Sequence, residues 1–233
     1  HEMRLIKSKY EIGLMKKSAK ISVDAHKRIF ENCKPGVFEY QIEADIIHEF
    51  GKHGAVPAYT SIVASGQNAC TLHYISNRDK MKSGQLLLTD AGCENEMYAA
   101  DITRTIPVSG EYSKEQKEIY ELVLEVQKNA INSIKPGQTF EGLQSDAIKG
   151  LTKGLKKLGL LKGRVDQLIK SEAYKDFYMH GIGHWLGMDV HDVGSYIDQK
   201  GKSRKFENGM VLTIEPGIYI SKKNNNVPNQ YRG

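Results

Sequence analysis

The sequence predicts a mixed α/β (α+β) fold made of two similar halves, each with two helices followed by strands. Apolar side chains recur at helical spacing in residues 8–31 and again in residues 113–133. Both stretches end at a Lys-Pro-Gly triplet, at 34–36 and at 135–137, so the triplets are 101 residues apart. A second helical pattern and then extended apolar runs follow each triplet, which indicates a duplicated helix–helix–strand unit.

The first half carries clear local signals for its helices. Ser8 followed by Glu11 is a capping-box start, and the Pro-Gly pair after residue 34 ends the first helix. The second helix is predicted over 39–53, and its apolar side consists of Ile42, Ile46, Ile47 and Phe50. Strand-like runs follow at 59–64 and 71–75, with a turn at 65–68 between them.

A hairpin in residues 86–106 is the most informative stretch. One apolar run ends on Asp90, and a second run begins directly after Asp101. With its turn near Asn95-Glu96, the hairpin pairs positions whose numbers sum to 191, so Asp90 faces Asp101. Burying an unpaired charge is costly, so either one carboxyl keeps its proton or a pair of divalent cations lies between them. The alternative is that Asp90 is an exposed turn residue and Asp101 simply starts a strand.

The second half repeats the order of the first. Helices are predicted over 113–133 and 140–158, and the repeat covers about 8–108 and 113–220. At an offset of 101 residues the matching pairs are Ile42 with Leu143, Asp45 with Asp146, and Ile47 with Ile148. We expect the strands of both halves to form one central antiparallel sheet, with helices outside and a groove between the halves that holds the chemistry.

Residues 179–217 contain the other candidate site residues. His180, His184 and His191 lie within twelve residues, separated by glycines that let the backbone fold tightly. An apolar run from Met210 then ends on Glu215, as the earlier run ends on Asp90. Carboxylates with one imidazole suit Mn(II), Co(II), Fe(II) or Zn(II) better than Ca(II). The remaining histidines are weaker candidates: His73 on its own is typical of a core residue, and no site role is expected for His1, His26, His48 or His53.

Composition narrows the class of protein. The 233 residues carry a net charge of +5, and the densest lysine cluster, 149–162, fits the solvated face of a helix rather than a nucleic-acid site. No apolar run approaches the roughly 18 residues of a membrane span, and no signal peptide is visible. Three scattered cysteines favour a reducing compartment, so a cytoplasmic protein is expected.

Five motifs, in order, resemble those of the pita-bread metallopeptidases. They are LTDAG at 88–92, DITRT at 101–105, HGIGHWLG at 180–187, VHDVG at 190–194 and TIEPG at 213–217. Within that family the HWLG and VHDVG pieces are most similar to aminopeptidase P, which removes an N-terminal residue that precedes proline. The resemblance implies the pita-bread fold for a single catalytic domain over residues 1–233.

The resemblance also implies a site. Its metal ligands would be Asp90, Asp101, His184 and Glu215, and its catalytic residues His73, His180, His191 and Glu215. Tyr59 and the same three histidines would contact the substrate, a peptide with proline in second position. Two divalent ions, with Mn(II) the expected metal, would activate the water that hydrolyses the bond before proline. The resemblance leaves open a homo-oligomer of the full-length protein.

The chain departs from the family pattern at both ends. The family's fifth ligand is a glutamate in a Gly-x-Arg-x-Glu-Asp stretch, and the chain reaches Gly233 where that stretch should begin. The usual N-terminal domain is also absent ahead of His1, and the chain has no initiator methionine. We therefore expect a fragment of a longer enzyme, and the competence of this chain alone is left open.

Three other functions are compatible with the motifs. A prolidase-type Xaa-Pro dipeptidase differs from an aminopeptidase in how far the groove opens beyond the second substrate residue. A non-catalytic pita-bread module would bind peptides or protein partners, but such modules lose metal ligands. A methionine aminopeptidase shares the fold, and the HWLG piece favours aminopeptidase P over it.

Overall fold

Six α-helices and six β-strands are assigned in the computed structural model, which describes residues 2–233. The helices are α1 (Glu2–Leu5), α2 (Lys9–Asn32), α3 (Glu39–Lys52), α4 (Lys114–Ser133), α5 (Phe140–Lys157) and α6 (Val165–Lys170). The strands are β1 (Val56–Pro57), β2 (Ile62–Ser65), β3 (Leu86–Asp90), β4 (Cys93–Asn95), β5 (Tyr98–Ala99) and β6 (Thr103–Pro107). Within the part of the chain that the structure describes, no helix combines the length and apolar character needed to cross a membrane.

The four long helices were correctly predicted because their ends are set by local hydrogen bonds. The backbone N–H of Glu11 donates to the Ser8 hydroxyl at 3.3 Å, and the Ser8 N–H donates to the Glu11 carboxylate at 2.7 Å. Ser113 and Gln116 form the same reciprocal pair at the start of α4. The last residues of α2 and α4 are followed by Pro-Gly turns in which each glycine has a positive φ, 95° and 93°.

The strands form two three-stranded antiparallel sheets, in the orders β1-β4-β5 and β2-β3-β6. All six strands come from the first half, so the expected strand from Met210 is not regular. The segment is extended instead, and Thr213 and Glu215 donate backbone hydrogen bonds to His184 and Ile182 at 2.9 and 2.8 Å. A Cβ on Gly183 would lie 2.0 Å from the Thr213 carbonyl oxygen, so the pairing depends on glycine and stays irregular.

The predicted register of the hairpin was wrong by two residues. Paired positions sum to 193, and Asp90 lies opposite Thr103 rather than Asp101. The turn falls at Glu96 and Met97, whose φ values of 51° and 70° are those of a tight hairpin turn without glycine. A shift of two residues keeps side chains on the same face, so Asp101 remains a diagonal neighbour of Asp90.

Two further strand predictions needed correction. The strand predicted at 59–64 begins at Ile62, and residues 71–75 form no strand. His73 has a left-handed backbone, with φ 56°, which a strand cannot contain. His73 therefore lies in a loop, exposed to solvent rather than in the core.

Each half has its own hydrophobic core. In the first half α2 and α3 pack on the sheets through fully buried side chains, among them Ile29, Ile42, Ile46, Phe50 and Leu87. In the second half the core is richer in aromatic residues and includes Leu143, Tyr178, Trp185 and Phe206. Ile47, predicted for the buried side of α3, is 49% exposed. The two cores leave a groove of about 1090 Å³, lined by residues of both halves.

Candidate metal centre

Asp90 and Asp101 meet at one end of the hairpin. Asp90 is the last residue of β3, and Asp101 lies two residues before β6. The Tyr59 hydroxyl is 2.5 Å from Asp90 Oδ1 and 3.1 Å from Asp101 Oδ1. One hydroxyl thus contacts both carboxyl groups, which share a pocket although they are not directly opposed.

The electrostatics of this pair follow from burial. Burial, followed by the charge of Asp101, raises the pKa of Asp90 to about 7. Burial and then the two carboxylates raise the pKa of Tyr59, so its hydroxyl stays protonated and donates. The raised pKa of Asp90 reflects a repulsion that either a retained proton or bound cations, the two alternatives given by the sequence, would relieve.

His184 connects this pair to the second half. Its Nε2 lies 3.2 Å from Asp101 Oδ2 and 3.2 Å from Glu215 Oε1. Its Nδ1 is 2.9 Å from the Trp185 carbonyl oxygen, which can only accept, so Nδ1 carries a proton and Nε2 points at the carboxylates. Burial lowers the pKa of His184, but hydrogen bonds with Asp101 and Glu215 outweigh it and raise the pKa to about 10.

These three side chains form the group best suited to a metal ion. One ligand atom from each of Asp101, His184 and Glu215 lies within 4.8 Å of the others. Carboxylate oxygens with one oriented imidazole fit a divalent transition metal. Asp90 adds a further, partly buried oxygen ligand next to Asp101, so the residues present could hold two ions.

Thr213 supports the group and was missed by the sequence reasoning. Its hydroxyl donates to Glu215 Oε1 at 2.7 Å and accepts the backbone N–H of His184 at 2.9 Å. One buried hydroxyl therefore orients a carboxylate and fixes the backbone of the imidazole. The sequence could have indicated Thr213, because it lies two residues before Glu215 and residues two apart on an extended segment share a face.

His180 lies further along the groove and is held from both sides. Its Nδ1 is 2.8 Å from the Gly181 carbonyl oxygen and therefore donates, while its Nε2 is 3.0 Å from the Tyr219 hydroxyl. Burial, followed by the charges of Glu215 and Asp90, raises the pKa of Tyr219 to about 12, so the phenol keeps its proton. Tyr219 is a second residue that sequence reasoning missed, although it lies four residues after Glu215 on the same face.

His191 packs against a metal-ligand candidate, whereas His73 lies on an exposed loop. The ring of His191 packs 4.2 Å from the ring of His184, at an interplanar angle of 62°. The next residue, Asp192, is buried and forms an ion pair with Lys7 at 3.0 Å. His73 lines the groove from its exposed loop.

His26, for which the sequence predicts no site role, lies on α2 close to the hairpin. It is buried, and its Nε2 lies 3.2 Å from the carbonyl oxygen of Ala91, the residue after Asp90. Burial lowers the pKa of His26. His1 lies outside the described residues.

Together the structure places the sequence-predicted residues around one groove. Its walls include His73, Asp90, Asp101, His180, His184, His191 and Glu215. Tyr59 lies behind the carboxylates rather than in the groove wall and reaches them through its hydroxyl. A partly buried acidic pair, an oriented imidazole and a partly exposed glutamate lining one groove are the features of a hydrolytic metal site.

Comparison with known families agrees with this assignment. The model of Metallopeptidase family M24 matches residues 13–231. Because the match covers nearly the whole chain, the chain belongs to this metallopeptidase family.

Relatives within the family are more specific. An Xaa-Pro aminopeptidase of Haemophilus influenzae is 54% identical over 233 residues, covering 100% of this chain and 54% of the relative. The structure of Pseudomonas aeruginosa aminopeptidase PepP matches with a TM-score of 0.97 at 52% identity, over 99% of this chain and 52% of that chain. A zinc-substituted Escherichia coli aminopeptidase P in complex with product matches with a TM-score of 0.95 at 49% identity, over 99% and 52%.

These matches confirm two predictions made from the sequence. The resemblance to Xaa-Pro aminopeptidases holds over the whole chain, and the pita-bread fold is confirmed by the structural match. The chain spans about half the length of the curated relatives it matches.

Proposed function

We propose that this chain is the catalytic part of an Xaa-Pro aminopeptidase, which hydrolyses the bond between an N-terminal residue and a following proline. One observation carries the proposal: Asp101, His184 and Glu215, drawn from both halves, converge within 4.8 Å at the base of a groove. The Xaa-Pro aminopeptidases among its relatives support the choice of substrate.

Asp90, Asp101, His184 and Glu215 are the proposed metal ligands. A bound pair of divalent ions supplies a water of lowered pKa and polarises the scissile carbonyl. We propose Mn(II) as the metal, because an oxygen-rich ligand set with one imidazole suits it. Tyr59 contributes through its hydroxyl, which donates to Asp90 Oδ1 at 2.5 Å and lies 3.1 Å from Asp101 Oδ1, and so holds these oxygens in place for the ions.

Glu215 is the proposed proton acceptor. Its side chain is 38% exposed and faces the groove, while Thr213 donates to Oε1 at 2.7 Å. The hydrogen bond leaves Oε2 free to take a proton from water at the scissile carbonyl. A carboxylate held in this way is a suitable general base.

The three histidines of the groove would act on the substrate. His191, packed against His184, is placed to donate a hydrogen bond to the oxygen that becomes negative during attack. His180, whose Nε2 is 3.0 Å from the Tyr219 phenol, would relay to the leaving nitrogen the proton that Glu215 takes from the water. His73, which also lines the groove, would contact the peptide.

The requirement for proline has a physical basis. Proline has no backbone N–H and its ring fixes φ near −65°. A groove whose walls include Leu72, Ile214 and Ile218 can pack against that ring, while other residues would bring an unpaired N–H into an apolar site. We also propose a cytoplasmic location, which the three free cysteines support.

The test is hydrolysis by the complete protein with added Mn(II), using an Xaa-Pro-Xaa tripeptide, an Xaa-Pro dipeptide and an Xaa-Ala-Xaa tripeptide. Faster release of the first residue from the Xaa-Pro-Xaa tripeptide than from the other two supports the proposal. Preference for the dipeptide would identify a prolidase-type enzyme. Peptide binding without hydrolysis would identify a non-catalytic module.

A further inference from the structure

Glu39 is a buried carboxylate outside the metal centre. It is the first residue of α3 and has no exposed surface. Among residues 2–233 no lysine, arginine or histidine forms an ion pair with it. A buried charge without a counter-ion is strongly destabilising unless other groups solvate it.

Hydrogen bonds supply that solvation, and all of them come from the segment 65–79, which starts at the last residue of β2 and continues through the following loop. Oε1 of Glu39 accepts from the Ser65 N–H at 2.7 Å, the Ser65 hydroxyl at 2.8 Å and the Asn68 amide at 3.1 Å. Oε2 accepts from the Tyr74 hydroxyl at 2.8 Å and the Asp79 N–H at 2.9 Å. Every partner is a donor, which fits the acceptor-only ionised carboxylate, and the N-terminal end of α3 adds a favourable dipole.

These five bonds enclose the segment that carries His73. Ser65 and Asn68 precede His73, while Tyr74 and Asp79 follow it, so one carboxylate fixes both ends of the loop. Asn77 fixes the same loop to β2, because its side chain accepts from the Val63 N–H at 3.0 Å and donates to the Ser61 carbonyl at 2.9 Å.

The backbone of His73 explains why such fixing is needed. Its φ of 56° lies in the left-handed region, which residues with a Cβ adopt only when their surroundings impose it. Asn77, four residues later, is also left-handed, with φ 48°. Without its anchors the loop would relax, and the imidazole of His73 would lose its fixed place on the groove wall.

We propose that Glu39 is a positioning residue for His73, holding the loop of residues 65–79 so that this imidazole faces the substrate groove. The proposal rests on the proposed peptidase function for the role of His73. Glu39 itself touches neither the groove nor the candidate metal ligands, and acts only through the loop.

Glu39→Gln is the primary variant. The side chain keeps its shape, but its new amide donates where an oxygen accepted, so either the Ser65 or the Asp79 N–H loses its acceptor. Tyr74→Phe is a milder variant that removes one donor and leaves four. Glu43→Gln, on the same helix and with no side-chain hydrogen bond among residues 2–233, is the matched control.

The first measurement is amide hydrogen exchange of the chain without added metal. Glu39→Gln should speed exchange in residues 65–80 by roughly tenfold or more, and Tyr74→Phe by less, while residues 178–219 exchange as in the wild type. Glu43→Gln should change neither segment. Wild-type exchange of residues 65–80 in both Glu39→Gln and Tyr74→Phe would overturn the proposal, and so would equal acceleration of both segments.

The second measurement is kcat of the complete, metal-loaded protein in two double-mutant cycles. Glu39→Gln should lower kcat by roughly tenfold alone and again in a His180→Ala background, but by less than about twofold in a His73→Ala background. Equal losses in both backgrounds would mean that Glu39 acts on general structure and would overturn its positioning role. A wild type that hydrolyses no peptide would refute the proposed function, and hydrogen exchange would then decide the role of Glu39.

Discussion

The two halves of the molecule fix their histidine-bearing segments from the same position by different means. Glu39 and Phe140 are the first residues of α3 and α5, and both come four residues after the proline of a Lys-Pro-Gly triplet. Glu39 fixes the His73 loop through five hydrogen bonds. Phe140 instead packs edge-on against Trp185, Tyr196 and Phe206, with ring centroids 4.7, 5.0 and 5.2 Å away.

The difference shows how one scaffold positions two kinds of segment. A buried carboxylate is directional, so it can impose left-handed backbone on a short loop. An aromatic cluster is less directional but fills volume, which suits the longer glycine-rich segment that carries His184 and His191. Asp90 at the end of a regular strand and imidazoles on irregular backbone then meet in one site.

The backbone hydrogen bonds next to Glu39 and Phe140 follow the same pattern in both halves. On that ground we propose the duplication that the sequence predicts. In the first half Gly36 donates to the Met81 carbonyl at 2.9 Å and Met81 donates back to Val37 at 2.9 Å. In the second half the Gly137 N–H donates to the Phe206 carbonyl at 2.9 Å, and the Phe206 N–H donates back to the Gln138 carbonyl at 2.7 Å. The same turn thus joins each helix pair to its later segment.

The largest expected effect comes from removing a metal ligand from either half. Loss of a group that hydrogen-bonds to a metal ligand weakens metal binding by roughly 10–100-fold. Asp101→Ala and His184→Ala each remove a ligand itself, so each should weaken Mn(II) binding by more than this. Metal analysis after gel filtration of the complete protein measures this, and Asp189→Ala serves as an exposed control. Full metal content in either ligand variant would show that one half alone holds the ions.

The next effect separates chemistry from metal binding in the second half. If the proposed function holds, His191→Ala in the complete protein should keep its metal and lose about 10²–10³ in kcat, as for one lost oxyanion donor. Steady-state kinetics with parallel metal analysis checks this. If kcat is retained with metal bound, His191 is structural and the donor is His73 or His180.

A third prediction addresses the aromatic anchor. Phe140→Ala should lower the free energy of unfolding by about 3 kcal/mol, near the low end for phenylalanine truncation because the ring is partly exposed. Phe140→Leu should be milder because it fills more of the volume. Urea unfolding gives both values, and a loss below about 1 kcal/mol for Phe140→Ala would mean that the cluster does not anchor the segment.

The smallest effect concerns pH. The folded pKa values of Asp90, about 7, and His184, about 10, both exceed their unfolded values, so the folded chain without metal binds more protons. His184 contributes stability below its unfolded pKa that is lost as the pH rises through about 10, and the stability contributed by protonated Asp90 is lost as the pH rises through about 7. Unfolding free energy with chelator present should therefore fall from pH 5 to pH 9.

Metal binding has the opposite dependence. Ions require ionised Asp90 and neutral His184, so binding releases protons and Mn(II) affinity should rise with pH over the same range. Isothermal titration in buffers of different ionisation enthalpy measures the protons released. Affinity that is independent of pH would exclude proton displacement at these two groups.

The sequence predicted what depends on neighbouring residues and failed where distant contacts decide. Capping pairs at Ser8 and Ser113 are local, so the helix ends were found. The hairpin register was missed because Glu96 and Met97 form a turn that usually carries Asn-Gly. Residues 71–75 look like a strand, but tertiary hydrogen bonds to Glu39 impose a loop.

The candidate site shows the same division between local signals and distant contacts. Motifs give the residue types, and the structure brings Asp101, His184 and Glu215 together. Thr213 and Tyr219 share a face with Glu215 at spacings of two and four, so a period-two search would have found them. The burial of His26 beneath Ala91 depends on how α2 packs on the hairpin, which no local pattern contains.

The central claim is that residues from both halves hold one pair of ions. Anomalous diffraction from crystals of the complete protein grown with Mn(II) tests it most directly. The account predicts two peaks about 3.5–4 Å apart, touched by Asp90 and Asp101 from one half and by His184 and Glu215 from the other. A single peak, or peaks touched by residues of one half only, would contradict it.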